Sequence, residues 1–285
     1  MYNFLDKVKE SPAFFRQIAV NEQLITEYNC PINTHKAGIW ADQNYFVYVT
    51  EGKKIWHIPG KSFELTEGKC IFVKKGAHLV EQFFDTRFCV VIFFVSDRFI
   101  TDTIRIHDSE ELSIPNNQDY STITPIDTDD SLHAFFNSIV PYFLQNRDTN
   151  KALLELKFKE LILNVIGNSK NHLTKSYFYS LLSDASSESM RKIMEENFLY
   201  NLKLEEFAKL CCRSLSAFKR DFVLHFNTTP GRWILDRRLK HAQILRNTTE
   251  KSISEIAFES GFENISHFSK AFKDCFGISP SKYRT

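Results

Sequence analysis

The chain has 285 residues, long for one typical domain and suited to two. Hydrophobic residues make up 43% and charged residues 25%, ordinary values for a folded protein that exclude disorder and fibrous repeats. The net charge of +1 names no partner, but it is unevenly spread: residues 186–285 carry 17 Lys and Arg against 12 Asp and Glu, leaving 19 against 23 in residues 1–185.

Phe is the compositional outlier, with 27 copies against 9 Gly, 8 Pro and 3 Met, and it points to aromatic-rich cores. The longest apolar runs, Phe88–Val95 and Tyr45–Val49, are far shorter than the roughly 20 residues of a membrane helix. The opening MYNFLDKVKESPAFF has neither the basic stretch nor the apolar core of an export signal. The expected compartment is the cytoplasm, with no membrane partner. Six cysteines, at 30, 70, 89, 211, 212 and 275, form no C-x-x-C pair, so buried reduced thiols acting as small apolar side chains are expected.

From Phe14 to about Ile104, short β-rich runs are broken by turn signals near Glu51-Gly52, Pro59-Gly60, Glu67-Gly68 and Lys75-Gly76. Turns at intervals of about eight residues predict antiparallel strands closing into a small barrel or sandwich. Residues 105–128, with Pro115, Asn116-Asn117 and Pro125, read as a connecting segment. The period then becomes helical over Asp130–Asn146 and Lys151–Ile166. Pro141 should kink or interrupt the first helix. The second is apolar around much of its girth, which suits either core packing or a dimer contact. A short helix and a Ser-rich break follow, with a boundary near Asp184–Ser187.

The last hundred residues contain two similar units, Leu202–Phe226 and Ser252–Gly277. In each, a short helix centred on a small residue (Ala208, Ala257) leads to a tight turn four residues on, at Cys212 or Gly261. A second helix follows, pinned by two aromatics four apart: Phe218 with Phe222, and Phe268 with Phe272. Small side chains allow close helix crossing, and Gly261 permits the positive φ of a sharp turn. Ser214 and Asn264 are suitable N-caps. The stripes opposite the aromatics are Ser216, Lys219 and Arg220, then Ser266, His267 and Lys270. That is the hydrogen-bonding and cationic inventory that reads base edges in a major groove. Between the units Pro230–Thr248 predicts a spacer helix of about 16 residues, roughly 24 Å long.

The segment ISEIAFESGFENISHFSKAFKDCFGISPSKYR closely resembles the signature of AraC/XylS-type transcription regulators. The likeness covers about Ser189 to Arg284 and includes the P-x-x-W at Pro230 and Trp233. It implies sequence-specific binding of promoter DNA by a double helix-turn-helix, with RNA polymerase as a partner and activation as the usual outcome. Carried over by position, Ser216, Lys219, Arg220, Ser266, His267 and Lys270 become base-reading candidates. Arg232 and Lys273 become phosphate contacts or plain surface positions. Gly261, Phe262, Phe268, Phe272, Phe276, Pro280 and Tyr283 match positions that look structural. The first unit departs from the pattern at Cys212, where glycine is common, and at Arg213, where an apolar residue is common, so its turn is expected to be strained or shifted.

The front half resembles the cupin-like arm of the same family, and more distantly the arm of activators of type III secretion genes that answer to protein partners. The expected class is therefore α+β, with a cupin-like β-barrel and connector (1–128), a helical linker or dimerisation region (129–185), and an all-α DNA-binding domain with two helix-turn-helix units (186–285). The arm is expected to bind a small-molecule effector or to mediate dimerisation, or alternatively to bind a protein partner with no small ligand. Isolated His35, His57 and His78, without an H-x-H pair, do not make a metal centre, and neither a catalytic motif nor a cofactor signature is present. An enzyme is not expected.

Overall fold

The computed structural model describes residues 1–29, 36–58, 60–82, 88–107, 120–144, 150–182 and 186–283. The chain divides into two compact units, Met1–Asp184 and Ala185–Thr285.

In the first unit, β1 (Tyr2–Asn3) and α1 (Phe4–Glu10) lead into β2 (Phe15–Val20), β3 (Gln23–Asn29), β4 (Lys36–Ala41), β5 (Asn44–Glu51), β6 (Lys53–Ile58), β7 (Lys61–Thr66), β8 (Cys70–Val73), β9 (Gly76–Gln82) and β10 (Cys89–Val95). After them come α2 (Asp97–His107), β11 (Ile123–Ile126), α3 (Asp130–Leu144), α4 (Lys151–Gly167) and α5 (His172–Ser180). Gly52, Gly60, Gly68 and Gly76 all take positive φ, at the turns the sequence marks. The strands form two sheets, ordered β1-β4-β9-β6-β7 and β11-β8-β5-β10-β3-β2. The cupin-like β domain is thus present, with its strands divided between two sheets rather than closed into one ring.

Alternation along the strands explains the Phe content. On β10, Val90, Ile92 and Phe94 face the core between the sheets, with Tyr45, Val47 and Val49 of β5. Val91, Phe93 and Val95 face the opposite way, into a second core that β5 joins through Phe46 and Tyr48. Successive strand residues point to opposite faces, so a strand buried on both sides reads as an unbroken apolar run. The second core is roofed by α2 to α5, which supply Ile100, Phe135, Phe136, Phe158 and Phe178. Tyr48 stacks on Phe136 at 4.1 Å between ring centroids.

Several expectations change here. The end of the β-rich stretch is α2, whose Ile100, Thr101, Thr103 and Ile104 are buried at helical spacing, and whose first turn is capped by Ser96 Oγ, which accepts from the Phe99 amide. Part of the supposed connector is β11, paired with β8 despite Pro125; this strand is a sheet edge, where the missing N–H is tolerated. Residues 108–119 of that connector lie outside the described residues. Pro141 does not interrupt α3: the carbonyl it strands belongs to Asn137, which is exposed to water. The broad apolar girth of α4 is mostly core, with Leu154, Phe158, Leu161, Ile162, Val165 and Ile166 buried and Leu153 and Leu156 exposed. Of the described cysteines only Cys70 is buried, and Cys212 and Cys275 are exposed.

The second unit consists of α6 (Ser186–Asn197), α7 (Leu204–Leu210), α8 (Leu215–Phe226), α9 (Pro230–Thr248), α10 (Ile253–Glu259) and α11 (Ile265–Phe276). The spacer helix α9 has 19 residues, three more than expected. Pro230 opens it beside a Thr229 cap. Leu239 and Ala242 of α9 pack with Ile256, Ala257, Phe262, Phe268 and Phe272 of the second helix-turn-helix.

Candidate nucleic-acid interface

Both helix-turn-helix units close their turn with the same hydrogen bonds. In the first, the Cys212 amide donates to Lys209 O at 2.9 Å and Arg213 to Ala208 O at 2.9 Å; in the second, Gly261 donates to Phe258 O and Phe262 to Ala257 O, each at 3.0 Å. This is the paired pattern of a Schellman cap, which needs a left-handed residue. Gly261 supplies it at φ +83° and Cys212 at φ +53°. The first turn is therefore not shifted in register. It carries the strain expected of a side chain in that conformation.

Arg213 stands where the second unit has the buried Phe262, and an ion pair with Asp221 replaces that packing. Ser214 Oγ caps α8 by accepting from Ala217 N at 3.2 Å. Asn264 Oδ1 caps α11 by accepting from Ser266 N and His267 N at 2.8 and 3.1 Å. Each cap fixes where its helix starts, and so which residues share a face.

On α8, Phe218 and Phe222 are fully buried, while Ser216, Lys219 and Arg220 are exposed on the opposite side. On α11, Phe268 and Phe272 are fully buried, and Ser266, His267 and Lys270 are exposed. Lys273 lies exposed one turn further on, and Arg232 is exposed in the first turn of α9. Each sequence-derived stripe is thus brought onto one helix face.

The electrostatics of the two stripes differ. Arg220 donates from Nε to Asp221 at 3.1 Å, while its side chain stays largely exposed. Arg232 is likewise held by Asp236, one turn along α9, at 3.1 Å. Lys219 and Lys270 have no carboxylate within ion-pair distance among the described residues. The His267 ring leans edge-on against Phe262, centroids 5.8 Å apart, which restricts it. Sequence reasoning missed Asp221, which anchors both Arg213 and Arg220. The signal available was a lone carboxylate amid cations at the inward edge of the stripe.

In the first unit, His57 lies between Ser62 Oγ and Glu81 Oε2, each at 2.8 Å, on β6. The hydrogen bond from His57 holds the Glu81 carboxyl below its usual range. His78 is fully buried, 2.5 Å from the Tyr45 hydroxyl, and burial pushes its pKa down to about 3. His35 lies outside the described residues. Among the described residues no group of three or more His, Cys, Asp or Glu could hold a metal ion, and no helix is long and apolar enough to cross a membrane.

Two domain families match the chain: the ExsA N-terminal regulatory domain over residues 44–177, and a helix-turn-helix domain over residues 207–285. The thermoregulatory protein LcrF of Yersinia pestis is 28% identical over 244 residues, which are 85% of this chain and 89% of that protein. The virulence regulon transcriptional activator VirF of Yersinia enterocolitica is 27% identical over the same shares. Among solved structures, unsaturated fatty acid bound wild-type ToxT from Vibrio cholerae aligns over 93% of this chain and 96% of its own, at 16% identity and a TM-score of 0.43.

Proposed function

We propose that the chain, whose relatives are transcription regulators and which carries a helix-turn-helix domain, is an AraC/XylS-type regulator that activates promoters by setting α8 and α11 into neighbouring major-groove segments. Ser216, Lys219 and Arg220 read the first segment and Ser266, His267 and Lys270 the second. Arg232 and Lys273 hold phosphates on either side. The observation that carries this reading is the repetition itself: two identically closed turns, each followed by a capped helix with a buried Phe pair behind an exposed polar and cationic stripe. One such stripe is an ordinary solvated face, whereas two with the same architecture match what groove reading requires. RNA polymerase is the partner an activator brings to such a site, in the cytoplasm.

Fluorescence anisotropy of the full-length protein on its own upstream DNA and on scrambled DNA tests the reading. Arg220→Ala should cost about 1–3 kcal/mol on the operator if Arg220 pairs with guanine. Lys270→Ala should erase much of the preference for operator over scrambled DNA. Equal binding of both DNAs by the unmodified protein at all salt concentrations would sink it.

For the arm, the reading favoured is control by a protein partner. The space between the sheets is filled by Tyr45, Val47, Val49, Val90, Ile92 and Phe94, all at 0% exposure, and a filled interior leaves little room for a drug-sized ligand. One observation favours a small polar effector instead: His78 Nδ1 is buried in that core with no hydrogen-bond partner. Dimerisation would use Leu153 and Leu156, the apolar side chains that α4 leaves exposed. Sedimentation at micromolar concentration, with and without DNA, decides it; a monomer in both removes the dimer.

A further inference from the structure

Residues 198–203 join α6 to α7, the entry to the first helix-turn-helix, and the first four of them are gripped from two sides. On one side is α9. The Phe198 ring sits against Trp233 and His241, with centroids 6.4 and 6.2 Å away. Between those two positions on α9, Arg238 donates from Nε to Phe198 O at 2.7 Å and from Nη2 to Tyr200 O at 2.8 Å. On the other side is the turn of the second helix-turn-helix. A Cβ placed on Gly261 would stand 2.6 Å from Leu199 O and 2.8 Å from Arg238 Nε. Just beyond that turn, Glu263 accepts a hydrogen bond from Asn201 Nδ2.

The grip joins parts that the sequence keeps some sixty positions apart. A rigid α9 fixes how far apart its own ends lie. Its apolar side chains seat each helix-turn-helix on it, Trp233 against Phe222 and Phe226 of α8 and Leu239 with Ala242 in the core of the second helix-turn-helix, but such packing is non-directional and ties neither unit to the other. A restraint between the units must come from polar side chains. Besides the Asn201–Glu263 bond, Arg238 supplies one: it bonds the segment that enters the first helix-turn-helix while its guanidinium lies against the Gly261 turn of the second. Its planar fork makes two directional, charge-assisted bonds where an ammonium offers only a point charge. Beside it runs a groove of about 680 Å³ whose lining includes Asn201, Arg238, Glu263, Asn264, Ser266 and His267. The fork is therefore next to the base-reading end of α11.

We propose that Arg238 is the positioning residue that fixes the separation and mutual rotation of α8 and α11, and thereby the number of base pairs the protein accepts between its two half-sites. The inference rests on the reading that both helices enter DNA. Arg238 itself touches no base. It acts through residues 198–201 and the Gly261 turn.

The test is a titration of full-length protein against three sets of duplexes. These are the operator, the operator with base pairs inserted or removed between the half-sites in a graded series, and each half-site alone. The unmodified protein should lose roughly 10-fold or more in affinity away from the native spacing. Arg238→Gln should flatten the series to within about 3-fold while leaving half-site affinity within about 2-fold. Arg238→Lys, which keeps the charge but loses the fork, should flatten it too. Retention of full spacing discrimination by Arg238→Gln overturns the proposal, as does a parallel loss of half-site binding, which would mark a purely structural role. Should Arg238→Gln fail to fold by circular dichroism, Asn201→Ala, at the exposed end of the grip, is held to the same two criteria. Indifference of the unmodified protein to spacing would instead remove the two-helix reading, and the inference with it.

Discussion

At the scale of single residues, the two turns show what one side chain costs. Cys212 holds at φ +53° a conformation that Gly261 holds at φ +83° within the same hydrogen-bond frame. An L side chain there is strained by about 1–2 kcal/mol, and glycine returns part of that gain through its larger unfolded-state entropy. Cys212→Gly should therefore stabilise the compact unit Ala185–Thr285 by about 0.5–1 kcal/mol, read as a higher urea midpoint at unchanged slope. His78 predicts a pH dependence. Burial drives its pKa from 6.5 to about 3, so the unfolded chain binds a proton between those values that the folded chain does not. Stability is then complete above about pH 6.5 and falls as the pH drops below it, by at most about 1.4 kcal/mol per pH unit. Denaturant unfolding at pH 7 and pH 5 should show the decline, and His78→Gln should flatten it. His241 on α9, shifted the same way by burial, contributes to any remaining slope in the second unit.

At the scale of elements, the same backbone conformation has different consequences in different places. Gly261 and Gly277 have nearly equal φ, +83° and +81°, but a Cβ at 277 would meet nothing within 4 Å. Gly277→Ala should cost about 1 kcal/mol, from the backbone alone. Gly261→Ala adds a collision with the Leu199 carbonyl and should cost about 2–4 kcal/mol. Equal losses in chemical denaturation would show that residues 198–201 yield freely, against the packing described. Element boundaries also show where a local pattern misleads. The run through α2 continues from strand-like residues, and only its burial at positions 100, 101, 103 and 104 distinguishes helix from strand.

At the scale of the molecule, the division at residues 184 and 185 separates an acidic front half from a basic back half. That asymmetry predicts salt-sensitive DNA binding carried by the second unit. Each phosphate contact contributes about 0.9 to the slope of log affinity against log salt. Lys273→Gln and Arg232→Gln should each reduce that slope by about 1 while leaving the preference for operator over scrambled DNA intact. A change in preference without a change in slope would move either residue from the phosphates to the bases. Arg232 meets Asp236 through Nε, so its Nη groups stay available and its effect should match that of Lys273.

Much of this was legible in the chain itself, for a physical reason. Turns, caps and the two periodicities depend on nearest neighbours, so the hairpin glycines, the Ser214 and Asn264 caps, the Phe pairs and the polar stripes behind them could be read directly. The repeated unit supplied the function because two copies of one local pattern constrain each other. What local rules do not contain is which surface meets which. That α4 lies mainly in a core, that Pro125 sits in a sheet-edge strand, and that the strands divide into two sheets were decided by packing between distant segments. So were the Asp221 anchor and the Arg238 grip, since a carboxylate or guanidinium in a helix looks like any solvated charge until the fold brings a partner to it.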